Sequence, residues 1–187
     1  MKDTIPKLFQ TYPYVIYAFY GQALYHNDLN ALYFAISMTI ILFSNPLLKM
    51  ASKPFYGRHR SIPVLGKRQR PSGAKGCDVF TYCPSKSSSS QVGMPSAHSQ
   101  IAWAICMYSL LEIWYEKDYA DDKEKAYYVI LSVVLILLSG AVSYSRVIME
   151  CHTLQQITVG GLFGIVLGLS AFFIKGVIGI KKDDKIV

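Results

Sequence analysis

Three strongly apolar stretches of this chain contain no Asp, Glu, Lys or Arg: Leu29–Leu48, Ala126–Tyr144 and Ile157–Ile174, of 20, 19 and 18 residues. Each is about the length an α-helix needs to cross a ~30 Å hydrocarbon core. A chain with three such stretches reads as a polytopic membrane protein. Composition agrees, since 52% of the residues are hydrophobic and 17% charged, below the roughly 25% charged of globular domains. At 187 residues, a single domain over 1–187 is expected.

Two weaker segments join these three. Phe9–Tyr25 is apolar and tyrosine-rich, though Gln10, Pro13 and Gln22 interrupt it. No small-residue cleavage site follows, so it reads as an uncleaved helix rather than a signal peptide. Ile101–Tyr115 is apolar except for Glu112 and gains length if it starts near Ser96. The expected architecture is therefore an all-α membrane bundle of about five spans, 9–25, 29–48, 97–115, 126–146 and 153–174. Aromatic residues near the ends, among them Tyr12, Tyr25, Trp114 and Tyr127, suit interfacial belts. A long loop, Lys49–Pro95, is rich in Gly, Pro and Ser, and 116–125 is a mixed charge run read as a solvated turn. With five spans, the end of the second, the start of the third, the end of the fourth and the start of the fifth share one membrane face.

The net charge is +7, from 19 Lys and Arg against 12 Asp and Glu. Nine of the basic residues lie between Lys49 and Lys86, opposed by Asp78 alone. In a soluble chain such an excess suggests nucleic acid; beside a bilayer it suggests lipid headgroups or phosphate. No nucleic-acid partner is expected. Four cysteines, Cys77, Cys83, Cys106 and Cys151, fit neither a disulfide scaffold nor a zinc module. Cys77 and Cys83 share the long loop and can pair only where that loop faces an oxidising lumen.

Three stretches stand out on the shared face: Arg70-Pro71, Pro95-Ser96-Ala97-His98, and Ser145-Arg146 followed by His152. R-P, then P-S-x-H, then S-R-x5-H resembles the type-2 phosphatidic acid phosphatase superfamily. Within it, Gly93–Gln100 and Val142–Gln156 resemble the dolichyl-diphosphatase branch. The likeness runs from about Asn45 to Phe163. Physical reasoning about the same residues agrees. Phosphoryl transfer asks mainly for positioning and for positive charge around the phosphoryl oxygens, and arginine donates to such oxygens bidentately. Arg70 and Arg146 are the expected phosphate clamps, against the plainer readings of ordinary loop charge and a snorkelling interfacial anchor. Ser96 is placed to cap the third span and leave its free N–H groups for an anion.

The resemblance implies that His152 is the nucleophile, forming a phosphohistidine, and that His98 is the general acid and then the base. A nucleophilic imidazole needs its other nitrogen held by a partner. Gln156, four residues on, shares the helix face and offers its amide oxygen. Most of the superfamily has Asp there, whereas the dolichyl-diphosphatase branch has Gln. The superfamily also has Lys, six residues, then Arg-Pro, but Pro63 stands seven positions before Arg70. An insertion of about fourteen residues near Lys53–Leu65 accounts for this. It makes Lys49 the choice for the family lysine, with Lys53, Lys67 or a further loop lysine as alternatives.

No metal and no cofactor are expected, because neither His26 nor His59 has a carboxylate cluster beside it. The function implied is an integral-membrane polyprenyl-diphosphate phosphatase with a lipid substrate. The alternatives are a phosphatidate-type lipid monophosphate phosphatase, or an inactive lipid-headgroup binder on the same scaffold. The active face would carry twelve basic residues and the other seven, which favours a cytoplasmic site. The family branch instead implies the lumenal face of the endoplasmic reticulum, or the plasma membrane in a prokaryote, and that implication is followed here.

Overall fold

The computed structural model describes residues 9–56, 66–72, 74, 77, 92–115, 121–181 and 184–186. Five long helices make up the architecture: α1 (Val15–His26), α2 (Leu29–Ala51), α3 (Ala97–Tyr115), α4 (Asp122–Ile148) and α5 (Leu154–Ile178). A 3-10 turn, Tyr12–Tyr14, precedes α1, and a single turn, Lys53–Tyr56, follows α2. No β-strand occurs among the described residues, only isolated pairings at Asp28–Lys185 and Gln69–Val92.

The helix ends have local causes. The Asp28 carboxylate accepts from the Asn30 and Ala31 amides at 2.9 and 3.1 Å, starting α2, and the Asp121 side chain accepts from the Glu124 amide at 2.7 Å, starting α4. Such caps satisfy amides that have no partner within the helix. At the other ends, α1 stops at Asn27 (φ 53°) and α5 at Gly179 (φ 76°), the left-handed positions that these two residue types tolerate best.

By length and composition, α2, α4 and α5 are apolar enough to cross a membrane. The outward face of α4 carries exposed Ile130, Val133, Val134 and Leu137, a surface suited to lipid. The other two segments depart from the simple spans expected. The stretch over 9–25 is broken by the turn containing buried Pro13, and the 12 residues of α1 rise only about 18 Å. Helix α3 is long enough but is the hub of the bundle, with Ile101, Ala102, Ala104 and Tyr108 wholly buried. A helix sheathed by its neighbours has no need of an apolar surface all round.

Helix α5 runs parallel to α3 in backbone contact, and glycines permit it. A Cβ at Gly160 would lie 2.5 Å from the Ser96 carbonyl oxygen, one at Gly168 2.6 Å from that of Ala104, and one at Gly164 would overlap the Gln100 carbonyl. Small residues at four-residue spacing allow this approach. Gly140, which looks in the sequence like part of the same small-residue set, faces open space. Gly164→Ala is therefore expected to cost about 1–3 kcal/mol by overpacking, whereas Gly140→Ala leaves stability unchanged or improved. Thermal unfolding of the two variants in detergent checks this; equal midpoints would contradict the packing described.

Below the hub, the α3 and α5 C-termini meet in an ion pair between a buried lysine and a half-buried glutamate. Lys175 Nζ lies 2.8 Å from Glu112 Oε1, and Asn30 Nδ2 donates to the same oxygen at 3.1 Å. At the opposite end, Gln100 donates to the Ile41 carbonyl (2.9 Å) and accepts from Asn45 (2.7 Å), joining the end of α2 to the start of α3. That second end holds the site.

Candidate active site

The turn between α4 and α5 folds back on itself, because the Cys151 and His152 amides both donate to the Arg146 carbonyl, at 2.9 and 3.1 Å. Glu150 enters this turn at φ 54°, an unfavourable backbone for a residue with a side chain. The turn delivers His152, 3% exposed, to the start of α5. Thr153 then caps α5 in a capping box with Gln156.

Gln156 is fully buried, and each half of its amide makes two hydrogen bonds. Its Oε1 accepts from His152 Nδ1 at 3.1 Å and from the Thr153 amide at 3.3 Å. Its Nε2 donates to the carbonyls of Lys67 and Gln69, at 2.9 and 2.8 Å. Because a carbonyl oxygen can only accept, the proton sits on His152 Nδ1, and Nε2 keeps its lone pair. The same amide pins the segment that carries Arg70. Gly93 makes room for this, since a Cβ there would meet Gln156 Oε1 at 2.6 Å and Arg70 Cγ at 2.9 Å.

The basic residues singled out in the sequence converge here. Arg70 (7% exposed) and Arg146 (0%) are both buried. Their charges, and that of Lys49, act on the His152 ring and on the His98 ring. Lys49, at the end of α2, is thus near enough to act on both rings, while the further loop lysines Lys75 and Lys86 lie outside the described residues. Arg146 Nη2 donates to the Cys77 carbonyl at 2.9 Å. His98 lies in the first turn of α3, with its Nε2 3.0 Å from the Gln10 carbonyl oxygen.

Ser96 stands at the cap position of α3, but its hydroxyl makes no capping bond. Its backbone amide donates to the Gln156 carbonyl at 3.2 Å and its carbonyl accepts from the Gln100 amide at 3.0 Å. Its buried hydroxyl has no partner among the described residues. A buried hydroxyl without a partner is costly, and an anion bound beside it would remove that cost. The cysteines differ too. Cys77 is disulfide-bonded to Cys151, with Cα atoms 5.5 Å apart, because the Arg146 contacts bring the loop against the turn. Cys83 lies outside the described residues. Sequence reasoning missed this bridge, the Gln156 bonds to the loop and the reach of Gln10. The only signal for the bridge was a cysteine beside the key histidine.

Burial pushes the His152 imidazole well below its ordinary value of 6.5, and Arg70 and Arg146 push it further the same way. A lowered value keeps the ring neutral, hence nucleophilic, into mild acid. The acid limb of kcat/KM attributable to this ring is expected below pH 6.5; a pH–rate profile with that limb above pH 7 would contradict it. Among the described residues, no group of His, Cys, Asp and Glu is arranged to hold a metal ion. A cavity of about 500 Å³, lined by Lys67, Gln69, Arg70, Thr153 and Gln155, opens beside the site.

Comparison with known proteins gives this geometry a context. No solved structure matches the chain. It is similar to Dolichyldiphosphatase of Saccharomyces cerevisiae, 41% identical over 86 residues, 46% of this chain and 35% of the yeast protein. It is similar also to Dolichyldiphosphatase 1 of Mus musculus, 26% identical over 162 residues, 82% of this chain and 64% of the mouse protein. The human protein of the same name is 34% identical over 83 residues, 43% of this chain and 35% of its own. The matches thus span between about a third and two thirds of those relatives' lengths. The model of the PAP2 superfamily matches residues 30–177, which take in Arg70, Ser96, His98, Arg146 and His152. With histidines and arginines gathered at one end of a helical bundle, and a family match over most of its length, the chain belongs to the PAP2 superfamily.

Proposed function

We propose that the chain is an integral-membrane phosphatase that removes the terminal phosphate of a polyprenyl diphosphate. The observation that carries this reading is the Nδ1–H of His152 held by Gln156, which leaves Nε2 nucleophilic amid the charges of Arg70, Arg146 and Lys49. The names of the relatives supply the substrate class.

The chemistry follows from these groups. His152 Nε2 attacks the terminal phosphorus, and the bridging P–O bond breaks. The leaving lipid monophosphate keeps that electron pair and takes a proton from His98. The arginines, Lys49 and the Ser96 hydroxyl bind the phosphoryl oxygens as charge redistributes. Water then gives a proton to His98 and attacks the phosphohistidine. The P–N bond breaks, phosphate leaves through the polar cavity beside Arg70, and His152 returns to its neutral form. The isoprenoid tail remains in lipid throughout.

The Cys77–Cys151 bridge supports a site on an oxidising face, such as the endoplasmic reticulum lumen, since disulfides persist there and rarely in the cytosol. This favours the lumenal side over the count of basic residues.

The test is phosphate release by purified protein in EDTA, comparing a polyprenyl diphosphate with phosphatidate. Faster release from the diphosphate is expected. A preference for phosphatidate would assign a lipid monophosphate phosphatase, and release from neither by folded protein would assign a binder. In sealed microsomes the diphosphatase is expected to be latent until detergent is added; full activity without detergent would put the site on the cytosolic face.

A further inference from the structure

The stretch matched by the family begins at residue 30, yet a group from before it reaches one of the family's histidines. The Gln10 carbonyl oxygen lies 3.0 Å from His98 Nε2. This contact is built rather than incidental. Residues 11–16 are fastened to the bundle, with Pro13 and Ile16 buried and Tyr12 packed on the core cluster of Phe34, Met38, Ile101 and Ile105. The Tyr14 amide donates to the Thr11 carbonyl at 2.9 Å, closing the turn immediately after Gln10. His98, Ile101 and Ile105 fall at i, i+3 and i+7 on α3, one face of that helix. The face that packs against the N-terminal segment is therefore the face that carries His98.

We propose that residues 9–14 complete the active site, with the Gln10 backbone carbonyl as the positioning group for His98. This rests on reading His98 as the acid and base of the reaction. A carbonyl oxygen only accepts, so the bond places a proton on Nε2 in every state of the ring. The working nitrogen is then Nδ1. Protonated, it gives its proton to the leaving oxygen; neutral, it takes one from the attacking water, while Nε2–H stays on Gln10. Without that anchor the neutral ring divides between two tautomers, and one of them presents a donor to the water where an acceptor is needed. His152 has Gln156 for this purpose, and His98 has the main chain of a segment outside the family match. Because the acceptor is a backbone atom, no side-chain pattern at position 10 announces it.

The experiment uses the full chain in detergent, labelled with [15N]histidine. Long-range 1H–15N spectra report the tautomer of each ring, and His98→Ala identifies the His98 signals. The expected result is a neutral His98 ring protonated at Nε2. In Pro13→Gly, which loosens the turn, a mixture of tautomers is expected. Turnover of a polyprenyl diphosphate should then fall at least 5-fold, while the burst of nitrophenol from 4-nitrophenyl phosphate, whose leaving group needs no acid, changes less than 2-fold. A merely structural role would lower both together. A wild-type ring protonated at Nδ1, or Pro13→Gly with unchanged tautomer and turnover, would overturn the proposal. If His98→Ala itself leaves turnover intact, the acid–base reading fails instead, whatever the tautomer.

Discussion

His152→Ala is expected to abolish phosphate release from a polyprenyl diphosphate, by more than about 10,000-fold, as removal of a nucleophile does elsewhere. His98→Ala is expected to cost nearer 100-fold, the low end of the range for general acid–base groups. The difference follows from the leaving group. A lipid monophosphate departs as a stabilised anion and needs little help from an acid, whereas the first step requires a nucleophile. The two rings also sit differently. His152 is held by a side chain that also ties down the Arg70 segment, whereas His98 is held by the Gln10 carbonyl. Rapid quench with 32P-labelled substrate separates the roles. The His98 variant should accumulate an acid-labile phosphoprotein, because its second step lacks a base. The His152 variant should form none. Equal losses, or a phosphoprotein in the His152 variant, would remove His152 from the nucleophile's role.

Gln156→Glu, a change of one amide to a carboxylate at constant shape, is expected to lower turnover at least about 30-fold. Two effects compete. A carboxylate would stabilise the imidazolium that develops on His152 better than an amide does, as an aspartate would at this place. Against this, Gln156 Nε2 donates to the carbonyls of Lys67 and Gln69. A carboxylate there turns two hydrogen bonds into two contacts between acceptors. Each buried group left unsatisfied costs about 1–3 kcal/mol, so two outweigh the gain at the imidazole, and 2 kcal/mol is already about 30-fold in rate. The loss should appear as a raised KM together with a lowered kcat, since Arg70 moves with the loop. A more active variant would show that the loop bonds matter less than the imidazolium.

The balance explains what could be read from residues alone. The apolar, charge-free stretches marked α2, α4 and α5 because lipid-facing helices must be apolar on the outside. Helix α3 was harder to place, since a hub buries His98, Ser99 and Gln100 as readily as Ile101. Pro13 was visible as an interruption of the tyrosine-rich segment, but the sequence did not show that it ends one helical turn and starts another. Within the site, the His152–Gln156 pairing was legible from the four-residue spacing, and it holds although His152 sits in the turn just before the Thr153 cap of α5. Lys49 was reachable only as one of several lysines, and Asn45 and Gln100 join the end of α2 that carries it to the start of α3. What stayed hidden depends on the path of a loop: the carbonyls that receive Gln156, the cysteine that meets Cys151, and the N-terminal carbonyl at His98. Periodicity carries no information about such paths. Ser96 takes the cap position expected of it, but its hydroxyl makes no bond among the described residues.

The ion pair of Lys175 and Glu112 gives the molecule a ruler. From Thr153, which caps α5, to Lys175 is 22 residues, about 33 Å of helix. One polar mark stands beside His152 and the other at the far end, and the distance between them is close to the thickness of the hydrocarbon layer. The two marks therefore stand on one rigid rod, a hydrocarbon layer's thickness apart. Where the surrounding membrane is a few ångströms thinner, the rod tilts or the lipid stretches to meet it. In either case the histidines stay level with the headgroups, the plane in which the proposed substrate, a diphosphate on a buried tail, would arrive.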